Sequence, residues 1–313
     1  MRRFLLKTLV ALLLVLVLHA FVGRFADGHL DEFYLRFTGG QQRSMILGTS
    51  RAAQGIRPAV LMASIGSLDR GSLFNFAFTV DHSPYGPTYL RAVRAKLDPA
   101  ATDGLFLVSV DPWSLCDDSS KEAEPGAMAE ERMFLGKQWT FNGTPNYEYL
   151  LRQAPAGWGS FLGGPLHDVD TSSTLHTDGW LEVRVSLDNE AVAKRTAGKV
   201  RRYRDEKLPY HHASEERMRS LEELLDLLRP HGRVVLVRIP VCDTIARIEE
   251  KLWPGFTKTI SDIAVLHDLD YWDLMSDSAH YTYVDGNHLD TISSRIFSAD
   301  LARRLASTEN TTQ

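Results

Sequence analysis

The pattern of apolar and polar positions changes after the first two dozen residues of the chain. Residues 4–22 are almost entirely apolar, and Arg2, Arg3 and Lys7 stand at the start of this run. A membrane-spanning helix needs about 20 such residues, so the run is long enough to cross a bilayer. A cleaved signal peptide and an uncleaved signal anchor both fit. Residues 19–24 contain no small-x-small cleavage site, which favours an anchor over residues 1–24.

From about residue 42 onward, short apolar strands alternate with amphipathic helices. Compact apolar runs predict strands at 44–48, 73–80, 105–110, 234–240 and 269–272. A period near 3.6 predicts helices at 57–65, 87–97, 212–228, 245–252, 256–266 and 289–305. Strands that are separated by helices form parallel sheets covered on both faces. We therefore expect one α/β domain over residues 42–306.

Residues 117–210 do not follow this alternation. The stretch is rich in Gly, Pro, Trp and charged residues, and it is too long for a plain connecting loop. We interpret it as an insertion that caps the functional edge of the sheet. It carries a basic run at Arg195, Lys199, Arg201, Arg202 and Arg204. Such runs are usually solvated faces, and contact with an anionic glycan or with lipid headgroups is the alternative.

Composition narrows the class of protein further. The chain has 313 residues, of which 44% are hydrophobic and 24% charged, as in an ordinary globular protein with a sizeable core. Because 40 acidic residues exceed 35 basic ones, the net charge is -5, and nucleic acid is not an expected partner. Two cysteines are too few for a disulfide scaffold or a structural zinc site.

A candidate nucleophile follows the first predicted strand. The strand runs into Gly48-Thr49-Ser50 and then into a helix, which presents a serine at the carboxyl end of a parallel sheet. Ligand sites of such sheets lie at this edge. The start of the helix offers free backbone N–H groups that can stabilise an oxyanion. The alternative is that Thr49 or Ser50 only caps the helix.

A candidate base and its orienting group stand just before the last predicted helix, at Asp285 and His288. A serine nucleophile needs an imidazole base, and the imidazole needs an acceptor that fixes its tautomer. A turn lets a carboxylate reach the ring of a histidine three residues later. Alone, the pair also fits a helix cap and a first-turn histidine. Together with Ser50, it predicts a catalytic triad.

These motifs resemble the SGNH (GDSL-type) hydrolase superfamily over residues 42–306, apart from the insertion. The segments at 47–51, 85–90 and 285–289 are most similar to its membrane-anchored bacterial branch. That branch includes proteins similar to those of alginate O-acetylation and teichoic-acid D-alanylation. The resemblance implies a flavodoxin-like sheet, with Ser50 as nucleophile, His288 as base and Asp285 as its orienter. It implies no metal or organic cofactor.

The chain departs from the family pattern in two blocks. Thr49 stands where the family usually has Asp, and the third strand leads into Asp111 without the Asn that donates to the oxyanion. An ionised Asp cannot donate a hydrogen bond. We therefore expect the oxyanion to use backbone N–H groups around Ser50, with Gly48 and Arg51 beside it. Asn75 of the second strand is a candidate side-chain donor, and Asp111 either lines the pocket or serves the fold.

The resemblance implies that Ser50 forms an acyl-enzyme and passes the acyl group to water or to a hydroxyl of a cell-envelope polysaccharide. The anchor and its flanking basic residues favour an extracytoplasmic domain, periplasmic or on the cell surface. A membrane-bound O-acyltransferase is the partner that this branch implies. The alternative function is a non-catalytic SGNH-like module that binds a glycan or an assembly partner.

The implied order of the strands suggests that the two cysteines are neighbours. Cys116 and Cys242 follow the third and fourth strands, which are neighbours in a flavodoxin-like order. In an oxidising compartment they could form a disulfide. Two free buried thiols are the alternative, and both remain open.

Overall fold

The computed structural model describes residues 1–25, 32–65, 72–120, 128–152 and 172–309. These residues form nine strands: β1 (Ser44–Leu47), β2 (Leu73–Asn75), β3 (Gly104–Ser109), β4 (Cys116–Asp118), β5 (Ser173–Leu175), β6 (Leu181–Val183), β7 (His211–Ala213), β8 (Gly232–Arg238) and β9 (Asp270–Asp273). Five of them make a sheet in the order β2-β1-β3-β8-β9, and every neighbouring pair is parallel. Counted along the chain this is the order 2-1-3-4-5 of doubly wound flavodoxin-like sheets.

The same ranges contain eleven α-helices: α1 (Arg2–Gly23), α2 (Ser50–Gly55), α3 (Pro58–Ile65), α4 (Pro87–Lys96), α5 (Phe134–Lys137), α6 (Tyr147–Arg152), α7 (Asn189–Arg201), α8 (Glu215–Leu228), α9 (Asp243–Leu252), α10 (Phe256–Leu266) and α11 (Thr291–Glu309). The helices predicted from the 3.6-residue period are all present. The predicted α/β class with helices around a parallel sheet is therefore confirmed.

Both faces of the sheet are buried, because successive side chains of a strand point to opposite sides. On β3, Phe106 and Val108 belong to an apolar cluster that includes side chains of α4, α8 and α10. Leu105 and Leu107 belong to a second cluster, which includes side chains of α2, α3 and α11. Burial on both faces explains why the strands read as apolar runs rather than as alternating patterns.

The second strand is shorter than its predicted range of 73–80, because the chain leaves the sheet at Asn75. The Asn75 side chain accepts a hydrogen bond from the N–H of Ala77 at 3.1 Å, and Phe78 donates to the carbonyl of Gly48 at 3.2 Å. The chain thus turns across the end of β1. This bend brings residues 76–83 against the turn that follows the first strand.

Residues 117–210, assigned above to an insertion, lie between two paired strands. Strand β4 pairs antiparallel with β7, and this pairing brings the two ends of the stretch together. Its described parts contact the carboxyl edge of the sheet: Asn75 donates its N–H to the carbonyl of Asp178 at 2.8 Å, and Arg195 of α7 donates to the carbonyl of Val284 at 2.7 Å. The stretch therefore packs against both β2 and the loop before α11.

Helix α1 stands apart from the sheet. It has 22 residues. Its most apolar stretch of 18 residues has a mean hydropathy of 2.5, and 6% of that stretch is buried. By length and composition it can cross a membrane. Only its last residues, Val22 and Gly23, are buried against the rest of the protein.

Candidate active site

The three residues of the predicted triad meet at the carboxyl edge of the sheet. Ser50 opens α2 directly after β1, and Asp285 and His288 lie between β9 and α11. The Oγ atom of Ser50 lies 2.9 Å from Nε2 of His288, although the two residues are 238 positions apart. On the other side of the ring, Nδ1 lies 3.0 Å from Oδ2 of Asp285 and 3.1 Å from Oδ1. This is the nucleophile, base and orienter arrangement of acyl-transfer sites.

The hydrogen bonds define the tautomer of the ring. An ionised Asp285 can only accept, so Nδ1 of His288 carries the proton, and the lone pair of Nε2 accepts a hydrogen bond from the hydroxyl of Ser50.

The alternative that Thr49 or Ser50 only caps α2 does not hold. Thr49 occupies the N-cap position of α2 without a capping hydrogen bond, and its hydroxyl donates to Oδ2 of Asp111 at 3.0 Å.

Charges near the triad set its protonation states. Burial by itself would raise the pKa of Asp285, but the His288 ring, Lys199 at 3.1 Å and a backbone N–H hold that pKa well below its usual range. Burial lowers the pKa of His288, Asp285 opposes this shift without reversing it, and the cations Lys199 and Arg51 add to it. At neutral pH Asp285 is ionised and His288 is neutral, as a general base requires.

Gly48 gives the turn before Ser50 its shape. Its φ of 137° lies in a region that L side chains rarely adopt, and a Cβ there would meet Cβ of Ser109 at 2.8 Å and its carbonyl oxygen at 2.9 Å. The N–H of Gly48 donates to the hydroxyl of Tyr89 at 3.0 Å, and its carbonyl accepts from Ser83 at 2.8 Å. Gly48 is therefore a backbone pivot, and its N–H is not free for an oxyanion.

Asn75 does not take the role expected for it. Its amide nitrogen donates to the carbonyl of Ala52 at 2.9 Å and to that of Ile56 at 3.0 Å. Both amide hydrogens are thus used to satisfy carbonyls of α2 and of the residue after it. Because the side chain is fully buried there, it cannot donate to a substrate oxyanion. Asn75 instead fixes α2 against the end of β2.

Of the two roles predicted for Asp111, lining the pocket or serving the fold, the structure shows the second. It is 2% exposed, and its carboxylate accepts from Thr49 at 3.0 Å and from the N–H of Ser114 at 3.1 Å. The second bond caps the 3₁₀ turn Pro112–Leu115, which follows β3. Asp111 therefore links the end of β3 to the residue that precedes the nucleophile.

Arg51 supports the loop of residues 284–290 from inside the protein rather than lining a pocket. It is 3% exposed, and it donates to Oδ1 of Asn287 through Nε at 3.0 Å and Nη2 at 2.8 Å. Nη2 also contacts the carboxylate of Glu249. Burial would lower the pKa of Arg51, but Glu249 and Asp111 raise it above the usual value. The guanidinium therefore stays charged inside the protein.

Glu249 is the buried centre of this charge cluster. It is fully buried, and besides Arg51 it accepts from Nε1 of Trp113 at 3.1 Å and from Nη2 of Arg238 at 3.1 Å. A buried carboxylate is tolerated when its oxygens are paired and hydrogen-bonded. Sequence reasoning missed Glu249, because nothing in its helix distinguishes it from an exposed acid.

Asn287 was also missed, although it lies inside the Asp285-x-x-His288 motif. Its Oδ1 accepts from Arg51 and from the hydroxyl of Tyr203 at 3.2 Å, so the amide is held in one orientation. Its Nδ2 lies 3.1 Å from Nε2 of His288 and therefore shares the one lone pair of that nitrogen with the hydroxyl of Ser50. A polar residue between the Asp and the His was the available signal.

The basic run of the insertion divides into two groups. Lys199 pairs with Oδ2 of Asp285 at 3.1 Å, and Arg195 donates to the carbonyl of Val284 at 2.7 Å. These two side chains of α7 hold the loop of residues 284–290, contrary to the expected solvated face. Three others are exposed, as expected: Arg201, Arg202 and Arg204.

Trp113 links the site to a neighbouring cavity. Its ring stacks on Tyr203 with centroids 4.6 Å apart, and Tyr203 donates to Asn287. Trp113 also lines a cavity of about 390 Å³, whose walls include Val80 and Arg217. The cavity is bordered by the segments that follow β2 and β3, and its lining does not include Ser50, Asp285 or His288.

The two cysteines are free thiols in the structure. Cys116 is buried, as in the second of the predicted alternatives, whereas Cys242 is only partly buried. Burial raises the pKa of Cys116 to about 12, which keeps it protonated and unreactive. Cys242 donates its N–H to the carbonyl of Gly286 at 2.8 Å, behind the catalytic loop. Within the described ranges, no group of three or more His, Cys, Asp or Glu side chains is placed to hold a metal ion.

Comparison with known proteins adds no relative to this description. No model of a known protein family matches the chain, and a search of curated proteins finds no significant match. The functional assignment therefore depends on the geometry of the site.

Proposed function

We propose that this protein is an SGNH-type serine esterase or O-acyltransferase that acts on a cell-envelope polysaccharide. The observation that carries the proposal is the hydrogen-bonded series from Ser50 through His288 to Asp285, at 2.9 Å and 3.0 Å. A neutral base and an ionised orienter support it. The substrate class comes from the resemblance of the motifs at 47–51 and 285–289 to the membrane-anchored SGNH branch.

In the first half of the reaction, the hydroxyl oxygen of Ser50 attacks the acyl carbonyl while Nε2 of His288 takes its proton. The carbonyl oxygen becomes an oxyanion in the tetrahedral intermediate. Asp285 stabilises the imidazolium that forms. Collapse of the intermediate breaks the bond to the leaving oxygen, which takes the proton from His288, and an acyl-Ser50 ester remains.

In the second half, an acceptor hydroxyl attacks the acyl-Ser50 ester, and His288 again removes its proton. The new tetrahedral intermediate releases Ser50, which regains a proton from His288. A sugar hydroxyl as acceptor gives O-acyl transfer, and water gives hydrolysis. The same three residues serve both outcomes, so access of the acceptor decides between them.

Backbone N–H groups replace the Asn that the family pattern provides. The amides of Ser50 and Arg51 open α2 and donate to no acceptor within the residues that the structure describes. They lie next to the reacting oxygen and can donate to the oxyanion. The buried charge of Arg51 adds a favourable field at the same end of the helix.

Helix α1 supports a membrane location for this chemistry. Its length and mean hydropathy suit a single span, and the cations at its start favour a cytoplasmic N-terminus with the α/β domain outside. A polysaccharide of the envelope is then the available acceptor. A membrane-bound O-acyltransferase that exports the acyl group fits as a partner in the same membrane.

Labelling with a fluorophosphonate tests the proposal directly. This reagent phosphonylates an activated serine and loses fluoride. The full chain and Ser64→Ala, which removes an exposed hydroxyl of α3, should be labelled, and Ser50→Ala should not. A folded wild-type protein without Ser50-dependent labelling would favour the alternative, a non-catalytic SGNH-like module that binds a glycan or an assembly partner.

A second measurement separates transfer from hydrolysis. The wild-type protein, without fluorophosphonate, is given an activated acetyl ester in the presence and in the absence of an envelope oligosaccharide. A transferase attaches the acetyl group to the sugar, which mass spectrometry detects, whereas a hydrolase releases acetate at the same rate in both samples. Loss of both products in Ser50→Ala assigns them to this site.

A further inference from the structure

The end of α1 is packed into the α/β domain. Val22 is 2% exposed and belongs to the same apolar cluster as Tyr34, Tyr149 and Leu150. At Gly23 a Cβ would lie 2.4 Å from Cδ1 of Leu150, so the backbone of α1 touches α6 closely. The domain is therefore joined to the helix by packing, and α6 lies at the level where α1 ends.

Five large apolar side chains around this junction are exposed. Their exposed fractions are 56% for Phe21, 47% for Phe25, 73% for Trp139, 46% for Tyr147 and 64% for Leu151. We call this set the junction patch. Burying such side chains is favourable by about 1.5–3 kcal/mol each, so a contiguous group of them indicates a surface with a partner.

Several contacts place the members of the junction patch together. The rings of Phe21 and Phe25 lie edge to face with centroids 5.5 Å apart. Tyr147 borders a cavity whose other walls include Gly23 and Arg24, and Leu151 is one helical turn further on α6. The backbone N–H of Trp139 donates to Glu148, the residue next to Tyr147, at 3.2 Å.

The depth of the junction follows from the length of α1. Its 22 residues span about 33 Å at 1.5 Å per residue, close to the ~30 Å hydrocarbon core of a bilayer. Gly23 then lies at the boundary between acyl chains and headgroups. Trp and Tyr prefer this depth, because their rings are apolar and their polar atoms can bind water or headgroups.

The charges near the junction patch suit the same environment. Arg24, Lys137 and Arg152 are exposed beside it, and cationic side chains can reach lipid phosphates from this depth. Arg152 also pairs with Glu148, which is largely buried, at 3.3 Å. The surface thus presents apolar rings with a basic rim, as at a membrane interface.

We propose that the junction patch lies in the headgroup region of the bilayer that α1 crosses, so that the domain touches the membrane through α6 and Trp139 as well as through its anchor. The occupant is the lipid surface itself, because the patch is continuous with the membrane-facing end of α1. This proposal rests on the anchor part of the proposed function. It does not depend on the chemistry of Ser50.

Quenching of tryptophan fluorescence tests the depth of Trp139. The full chain is reconstituted in phosphatidylcholine and phosphatidylglycerol vesicles whose lipids are brominated close to the headgroup. We expect the brominated lipid to quench part of the wild-type emission. In Trp139→Phe that quenched part should be missing. Trp272→Phe, which removes a half-buried ring of β9, should leave that share of quenched emission unchanged.

Charge substitutions test the patch as a surface. Leu151→Glu should reduce the lipid quenching of Trp139 at least twofold, because a carboxylate resists burial in the headgroup region. Ile292→Glu is the matched control, since Ile292 is 59% exposed on α11, and it should have no effect on this quenching. Retention on vesicles after an alkaline carbonate wash reports α1 alone in every variant.

Three results would overturn the proposal. Trp139 could be open to aqueous iodide and untouched by brominated lipid, in which case the patch faces water. It could be shielded from both quenchers, in which case protein covers it, from this chain or from a second copy. The wild type could wash off the vesicles, which would remove the anchor as well. Fluorophosphonate labelling of Ser50 is a separate readout in each case.

Discussion

The turn that carries Ser50 and the loop that carries Asp285 and His288 meet at 2.9 Å, but different interactions hold them. The Ser50 turn follows from its neighbours in the sheet. Leu47 is buried in β1, and Gly48 lets the backbone pass Ser109 of the adjacent strand closely. Local backbone geometry and parallel strand pairing thus determine where Ser50 lies.

The loop of residues 284–290 is held by side chains from distant parts of the chain. Arg51 binds the side chain of Asn287, Lys199 pairs with Asp285, and Arg195 binds the carbonyl of Val284. Two of these three come from the insertion. The comparison teaches that the position of Ser50 follows from the geometry of the sheet, whereas that of His288 depends on the insertion and on one buried charge cluster.

The largest expected effect concerns the orienting carboxylate. Asp285→Asn keeps the size of the side chain, but its amide can present a donor to His288 and favour the wrong tautomer. We expect kcat of ester hydrolysis to fall by about 10⁴-fold with the fold intact. Steady-state kinetics and circular dichroism measure the two effects. A loss of less than tenfold would contradict the role of Asp285.

The next effect concerns the buried cation beneath the loop. Arg51→Met leaves Glu249 with one charged partner fewer, and we expect the free energy of unfolding to fall by about 3–5 kcal/mol. Arg43→Met is the control, because its pair with Asp103 is exposed and should contribute less than about 1 kcal/mol. Equal losses in urea unfolding would show that burial of the pair is irrelevant.

A smaller effect is expected at the Ser50 turn. Gly48→Ala combines an unfavourable φ with a contact to Ser109 that is too short, and should lower the free energy of unfolding by about 2–3 kcal/mol. Gly255 also has a positive φ, of 78°, but no atom lies within 4 Å of its added Cβ. Gly255→Ala should therefore cost about 1 kcal/mol in the same urea titration.

The smallest effect concerns the contact of α7 with the triad. Activity requires neutral His288, and its pKa is lowered, so activity should fall only as the pH drops below the ordinary histidine range. Lys199→Met removes a cation that lowers this pKa. The acid limb of kcat/KM should then move to higher pH. Because the pKa of His288 starts below the ordinary histidine value, the rate at pH 7 should fall by less than about twofold.

Lys194→Met provides the control for that experiment, because Lys194 is exposed on the same helix. Its pH profile should coincide with that of the wild type. If both variants shift the acid limb equally, the net charge of α7 acts at long range, and the specific pair between Lys199 and Asp285 is not the cause.

Local patterns predicted much of the site, because they record chemistry that acts over a few residues. Ser50 follows a strand and opens a helix, and Asp285 and His288 are three residues apart, so each half was visible in its own segment. Asn75 shows where such reasoning fails. An amide in a strand looks available, but its two hydrogens are used by carbonyls of α2.

The sequence by itself determined the α/β class, the apolar helix at the N-terminus and the three residues, Ser50, Asp285 and His288, that the structure brings together. Apolar periodicity and short motifs are enough for these features, because each depends on neighbours along the chain. Only the tertiary structure decided that Arg51 meets Asn287 across 236 positions and that Lys199 of α7 pairs with Asp285. Polar side chains far apart in sequence choose their partners when packing excludes water, and no local pattern encodes that choice.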